Sequence, residues 1–237
     1  MNYLMSVLLT LPLIISTPLM ADSTDDFHPW VRQGWKLLSK TPGDINDDGI
    51  TDLVLIIEEN NPNKVIKNDH LGPKNINTNL RELVVLFGSE NGYKKIFSRK
   101  NLLPSEGNAN STCSADPLAD GGIYIKNNKL IINLLNWSSC GGWEMSSESF
   151  TFRKDEGNDF DLIGYDKSSV SRNTGEEQKV SINYLTKKKK ITTDSNESET
   201  ESQKEIWSKI QFKEKLKLST VELQCFNTHV SGCNWNI

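Results

Sequence analysis

Between Gly43 and Ile57 the chain reads Gly-Asp-Ile-Asn-Asp-Asp-Gly-Ile-Thr-Asp-Leu-Val-Leu-Ile-Ile. Side-chain oxygens stand at Asp44, Asn46 and Asp48, a glycine follows at Gly49, and a further carboxylate stands at Asp52. Calcium takes several oxygen ligands at once, from carboxylates, amide carbonyls and main-chain carbonyls. Alternate spacing lets a short loop offer such donors to one point. The expected ligand set is Asp44, Asn46, Asp48, the backbone carbonyl of Ile50, and Asp52. Gly49 permits the sharp bend, the Ile50 side chain turns inward, and Asp47, between ligand positions, faces water. Magnesium suits the loop less well, because it demands a tighter octahedron and keeps its waters. A solvated turn is the plain alternative, since Asp, Asn and Gly favour turns for local reasons.

The first half of this loop follows the EF-hand spacing, but that motif needs a glutamate at position twelve. Position twelve here is Leu55, inside an apolar run, and no helical pattern precedes the loop. The reading is therefore strand, calcium loop, strand. Gly43 to Ile57 resembles the calcium loop of FG-GAP or VCBS repeats, the units of integrin-type β-propellers. Leu83 to Tyr93, with its Gly-x-x-x-Gly turn, resembles the second half of such a unit, so the likeness spans about residues 34–98. Asp159–Tyr165 and Ser181–Thr186 resemble segments of a group of exported bacterial proteins carrying one such loop. The resemblance implies metal binding and interaction, and it implies no reaction.

The elements around the loop are read as all-β, an antiparallel meander forming either an incomplete propeller-like sheet or a β-sandwich. One repeat does not build a propeller, whose blades recur around an axis. Trp35–Leu38 leads into the loop, and Pro42-Gly43 ends that strand. Leu53–Ile57 is a continuous apolar run, the pattern of a strand buried on both faces. Glu58–Asn79 reads as a long excursion. Leu83–Phe87 and Tyr93–Phe97 form a hairpin about Asn91-Gly92, a strong hairpin signal. Gly122–Ile125 and Lys129–Leu135 pair about Asn127-Asn128. Ser147–Phe152 alternates as a half-buried strand should. Phe160–Tyr165, Val180–Leu185, Ile206–Phe212 and Leu216–Leu223 complete the strands. Residues 186–205, with four lysines and then a Ser, Thr and Glu-rich run, read as an exposed polar loop.

Residues 1–21 have the form of a secretion signal: Tyr3–Ile15 is apolar, Ala21 suits cleavage, and the first charged side chain is Asp22. A basic n-region is missing, which departs from the usual pattern. The run is short and broken by Pro12, so a membrane anchor is disfavoured. Residues 22–237 are then a single β-rich domain, periplasmic or secreted. Four cysteines in such a chain point to disulfides. Three connectivities are open, and pairing by proximity in sequence gives Cys113–Cys140 and Cys225–Cys233. The spacings fit no zinc pattern.

The formal net charge of -4 gives no basic excess for nucleic acid. Only His28, His70 and His229 are available as histidine bases. No nucleophile elbow, zinc-protease helix or phosphate loop is present. Acid pairs such as Asp159 and Asp161 have the residue types of glycoside chemistry, and they read as a solvated strand edge. The expectation is a non-enzyme: an exported calcium-binding interaction module with a protein partner. An immunity protein or inhibitor that neutralises a secreted toxin or cell-wall hydrolase is the second reading. A carbohydrate-binding or adhesion module using some of the six tryptophans is the third.

Overall fold

The computed structural model describes residues 27–119, 122–194, 203–212 and 214–226. The expected signal at 1–21 and the Cys225–Cys233 pair fall wholly or partly outside these residues. The fold is all-β, its sheets are antiparallel, and the described residues contain no α-helix. Strands β1 (Trp35–Gly43), β2 (Asp52–Glu59), β5 (Arg81–Ser89) and β6 (Gly92–Lys100) make a four-stranded sheet in that spatial order. A small hairpin, β3 (Val65–Lys67) with β4 (Asn75–Asn77), occupies the excursion between β2 and β5. A seven-stranded meander follows: β7 (Ile123–Ile125), β8 (Leu130–Asn136), β9 (Glu144–Lys154), β10 (Phe160–Ser171), β11 (Glu177–Asn183), β12 (Lys188–Asp194) and β13 (Lys204–Lys209).

Alternation of side chains decides the layering. Val54 and Ile56 of β2, Leu83 and Val85 of β5, and Phe97 of β6 share one core with Leu130, Ile132, Phe150, Phe152 and Phe160 of the larger sheet. Phe97 meets Phe160 edge to face, with centroids 6.2 Å apart. Two sheets thus pack on a common apolar layer, the sandwich arrangement, and among the described residues no sheet closes into a barrel. The opposite face of the small sheet carries Leu53, Leu55, Ile57, Val84 and Leu86 with Trp35 and Leu37 of β1, and Phe27, Trp30 and Val31 of the preceding segment pack on it as a cover. That cover is why the apolar run of β2 is continuous rather than alternating. Each such side chain contributes about 1.5–3 kcal/mol by leaving water.

Three segments differ from the sequence reading. Lys188–Asp194, expected in an exposed loop, is strand β12, paired on both sides; the hairpin tip is the turn around Lys187, whose φ is +55°. Ile191 and Thr192 supply the half-buried pattern that the lysine run masks. Leu216–Leu223 is not a strand: it makes one bridge, Lys217 to Asp161, then turns into a 3-10 helix at Leu223–Phe226. Its apolar residues Leu216, Leu218, Val221 and Leu223 still enter the core, as a strap. Strand β1 runs through Pro42 and Gly43, because β1 is a sheet edge and proline loses no ladder bond there.

Cys113 and Cys140 are bridged, with Cα atoms 5.6 Å apart, as pairing by proximity anticipates. The Asn127-Asn128 turn is also as expected, both residues lying at positive φ. No helix among the described residues is long and apolar enough to cross a membrane.

Candidate metal site

The acidic loop joins β1 to β2, and it is coiled by its own side chains. Asp44 accepts the backbone N–H of Asp47 (2.7 Å) on one oxygen and that of Gly49 (2.9 Å) on the other. Asn46 Oδ1 accepts the N–H of Asp48 (3.1 Å), and Asp48 Oδ1 accepts that of Ile50 (2.8 Å). The Asn46 amide also donates to Asp48 Oδ2 (2.7 Å). These nested Asx turns need left-handed backbone at Asp47 (φ +66°) and Gly49 (φ +80°).

Asp52 is placed differently. It is fully buried, and its two oxygens accept the N–H of Ile45 (2.8 Å) and of Gly88 (2.9 Å). It therefore ties the start of the loop to the end of β5. Burial pushes its carboxyl above the ordinary range; the two backbone donors pull it back, and the charges of Asp48 and Asp44 push it further up. The loop's negative charges are thus close enough to repel one another.

The Ile50 side chain does not turn inward. It is 40% exposed, and the residue that anchors the loop in the shared core is Ile45, at 1%. Alternation accounts for Ile45, which stands between Asp44 and Asn46 and points away from them into the core, whereas Ile50 follows the bend. Asp47 is exposed, as anticipated, but accepts a hydrogen bond from the Asn128 side chain. That bond links the loop to the β7–β8 turn across a sequence separation of 81, and no local signal announces it.

Asp44, Asn46 and Asp48 therefore share one exposed bend, and Ile50 follows directly. The donor chemistry fits a hard cation. An ionised carboxylate has about four lone-pair sites, so an oxygen already holding one N–H can still ligate. Among the described residues no three Asp, Glu, His or Cys side chains are drawn together as a ready-made ligand group.

Beside the loop lies a groove of about 920 Å³, whose lining includes Trp30, Lys40, Ile50, Glu90, Asn91 and Tyr93. Gly88 forms part of its wall; a Cβ there would stand 2.3 Å from the Thr51 carbonyl oxygen.

The other sequence candidates have structural occupations. Asp159 accepts the hydroxyl and N–H of Ser219, and Asp161 pairs with Lys215 (2.7 Å). This acid pair fastens the C-terminal strap instead of edging a cleft. His28 lies in a short 3-10 turn, His70 in the exposed excursion, and His229 outside the described residues. Comparison with known protein families, with characterised proteins and with solved structures finds no match.

Proposed function

We propose that this chain is a calcium-stabilised interaction module with no catalytic role, working in a periplasmic or secreted setting. The observation that carries this reading is the coiled loop: Asp44, Asn46 and Asp48 present oxygen donors on one bend that also bonds to both sheets. A cation held by Asp44, Asn46, Asp48 and the Ile50 carbonyl would relieve the repulsion felt by Asp52. It would also stiffen the wall of the adjoining groove, to which Ile50 belongs. Trp30 and Tyr93 there offer amphipathic rings and Lys40 and Glu90 offer charge, a composition suited to a protein partner. The Cys113–Cys140 bridge supports an oxidising compartment.

The test is calorimetric titration of chelator-stripped protein with calcium, with magnesium as control. One-to-one binding is expected, lost in Asp48→Ala. At a calcium concentration one hundred times Kd the fold gains about 2.7 kcal/mol by mass action. Absence of heat, with identical melting of stripped and calcium-loaded protein, would refute the proposal.

A further inference from the structure

The outward face of the seven-stranded sheet carries a trough that the calcium reading leaves unused. Ile132, Phe150, Tyr165 and Ile182 pair across β8 to β11 and are all buried, so their row faces the core. By strand alternation the next row points the other way. That row is Asn133, Ser149, Asp166, Ser181 and Lys190, one residue per strand, and it ends on Trp207 of β13. A second outward row runs through Ser147, Ser168, Lys179 and Thr192. With Glu148, Lys167 and Val180 these residues line a concavity of about 420 Å³, and Trp207 stands just outside it on the neighbouring strand.

Its chemistry is unusual for a solvated sheet face. The side chains are mostly short and hydroxylated, so the floor is low and the trough open. The hydroxyls of Ser147, Ser149, Ser168 and Ser181 have no partner among the described residues. Asn133 Oδ1 is buried in the wall, also without a partner. A buried polar atom left unpaired is costly and calls for an outside donor. Each lysine of the lining has an acidic neighbour: Lys190 pairs with Glu205, Lys179 lies 3.7 Å from Glu177 and Lys167 lies 3.5 Å from Glu144, while Asp166 and the buried Glu148 are further acidic groups. Trp207 is 61% exposed at the far end, with one ring face under Lys190.

We infer that this trough binds an uncharged glycan chain lying across the strands. Neighbouring strands are about 4.8 Å apart, so the outward row offers a polar group at that interval over roughly 19 Å, and Trp207 one strand further on. Sugar hydroxyls both donate and accept, which suits the serine hydroxyls and the Asn133 amide. The C–H face of a pyranose stacks on an indole. A polyanion finds little free positive charge here, since each lysine of the lining already has a carboxylate beside it.

The experiment uses the whole chain with chelator present, so that its outcome is independent of the calcium loop. Cellohexaose, maltohexaose and chitohexaose are titrated calorimetrically and by tryptophan emission, with hexagalacturonate as the charged comparison. Saturable binding of at least one neutral hexasaccharide is expected, with quenched emission. Trp207→Ala should weaken it about tenfold or more, the effect of losing an aromatic anchor. Ser149→Tyr, which fills the trough, should abolish it, while Trp30→Ala in the other groove leaves it unchanged. Trp207 is exposed, so its variant folds even where Ser149→Tyr does not. Binding by no neutral hexasaccharide, preference for the galacturonate, or affinity unaltered in Trp207→Ala would each overturn the inference.

Discussion

Arg81 is 2% exposed, and its guanidinium makes four hydrogen bonds. Nε donates to Glu58 (3.1 Å), Nη1 to the Pro104 carbonyl (3.2 Å), and Nη1 and Nη2 to the two oxygens of Asp116 (2.6 and 2.8 Å). Through it β5 holds both β2 and the 104–118 segment that carries Cys113. Arg81→Met removes the cation and keeps much of the volume. Glu58, with no exposed surface, would retain Lys36 (3.0 Å) and the Asn77 amide (2.9 Å). Asp116, at 30% side-chain exposure, can turn to water. Breaking a buried pair by removing one partner costs 3–5 kcal/mol, and these remaining partners place the loss at the lower end, about 3 kcal/mol. For a chain of this size that is a fall in Tm of roughly 6–12 °C. The assay is urea unfolding with an unchanged slope, run as a double-mutant cycle with Glu58→Gln. Removing both charges should cost less than the two single losses added together, by at least about 0.5 kcal/mol. A loss under 1 kcal/mol in Arg81→Met, or strict additivity in the cycle, would refute the buried network as a structural clamp.

Other perturbations test separate parts of the molecule. Replacing Cys113 and Cys140 by serine opens a link of sequence separation 27 and should cost about 3.5 kcal/mol on the chain-entropy model, measured by denaturant unfolding. Gly88→Ala drives a Cβ into the Thr51 carbonyl and displaces the N–H that Asp52 accepts; the expected loss is about 1–3 kcal/mol, with weakened calcium binding read by calorimetry. Acid should act in two opposed stages. Burial holds Glu148 above its ordinary 4.5, although the Tyr165 hydroxyl donates to it, so the folded state binds its proton first and stability rises as pH falls through the window just above that value. Glu148→Gln should remove this rise. The hydrogen bond from Lys217 draws Asp155 below its ordinary 3.8; burial opposes Arg81 at Asp116, yet Asp116 also ends below that value. Their contribution is complete above that value and is lost as pH falls below it, measured by thermal melts across the acid range.

The sequence determined whatever is local. Period-two alternation marked Ser147–Phe152, the continuous run of Leu53–Ile57 announced burial on both faces, and Asn127-Asn128 fixed a turn, because these follow from side-chain direction and backbone sterics within a few residues. The donor spacing from Asp44 to Asp52 was legible for the same reason. Tertiary structure decided how those donors are used. Asp52 became a buried strut because Gly88, brought alongside by the pairing of β2 with β5, presents an N–H to it; Ile45 rather than Ile50 entered the core because the coil turns on bonds from Asp44 and Asp48. Lysines concealed β12, whose strand character comes from pairing with β11 and β13 rather than from propensity. The serine-lined trough exists only in the assembled sheet, since one of its rows draws a residue from each of five strands and the other from each of four, and no segment of the chain holds two neighbours of a row together.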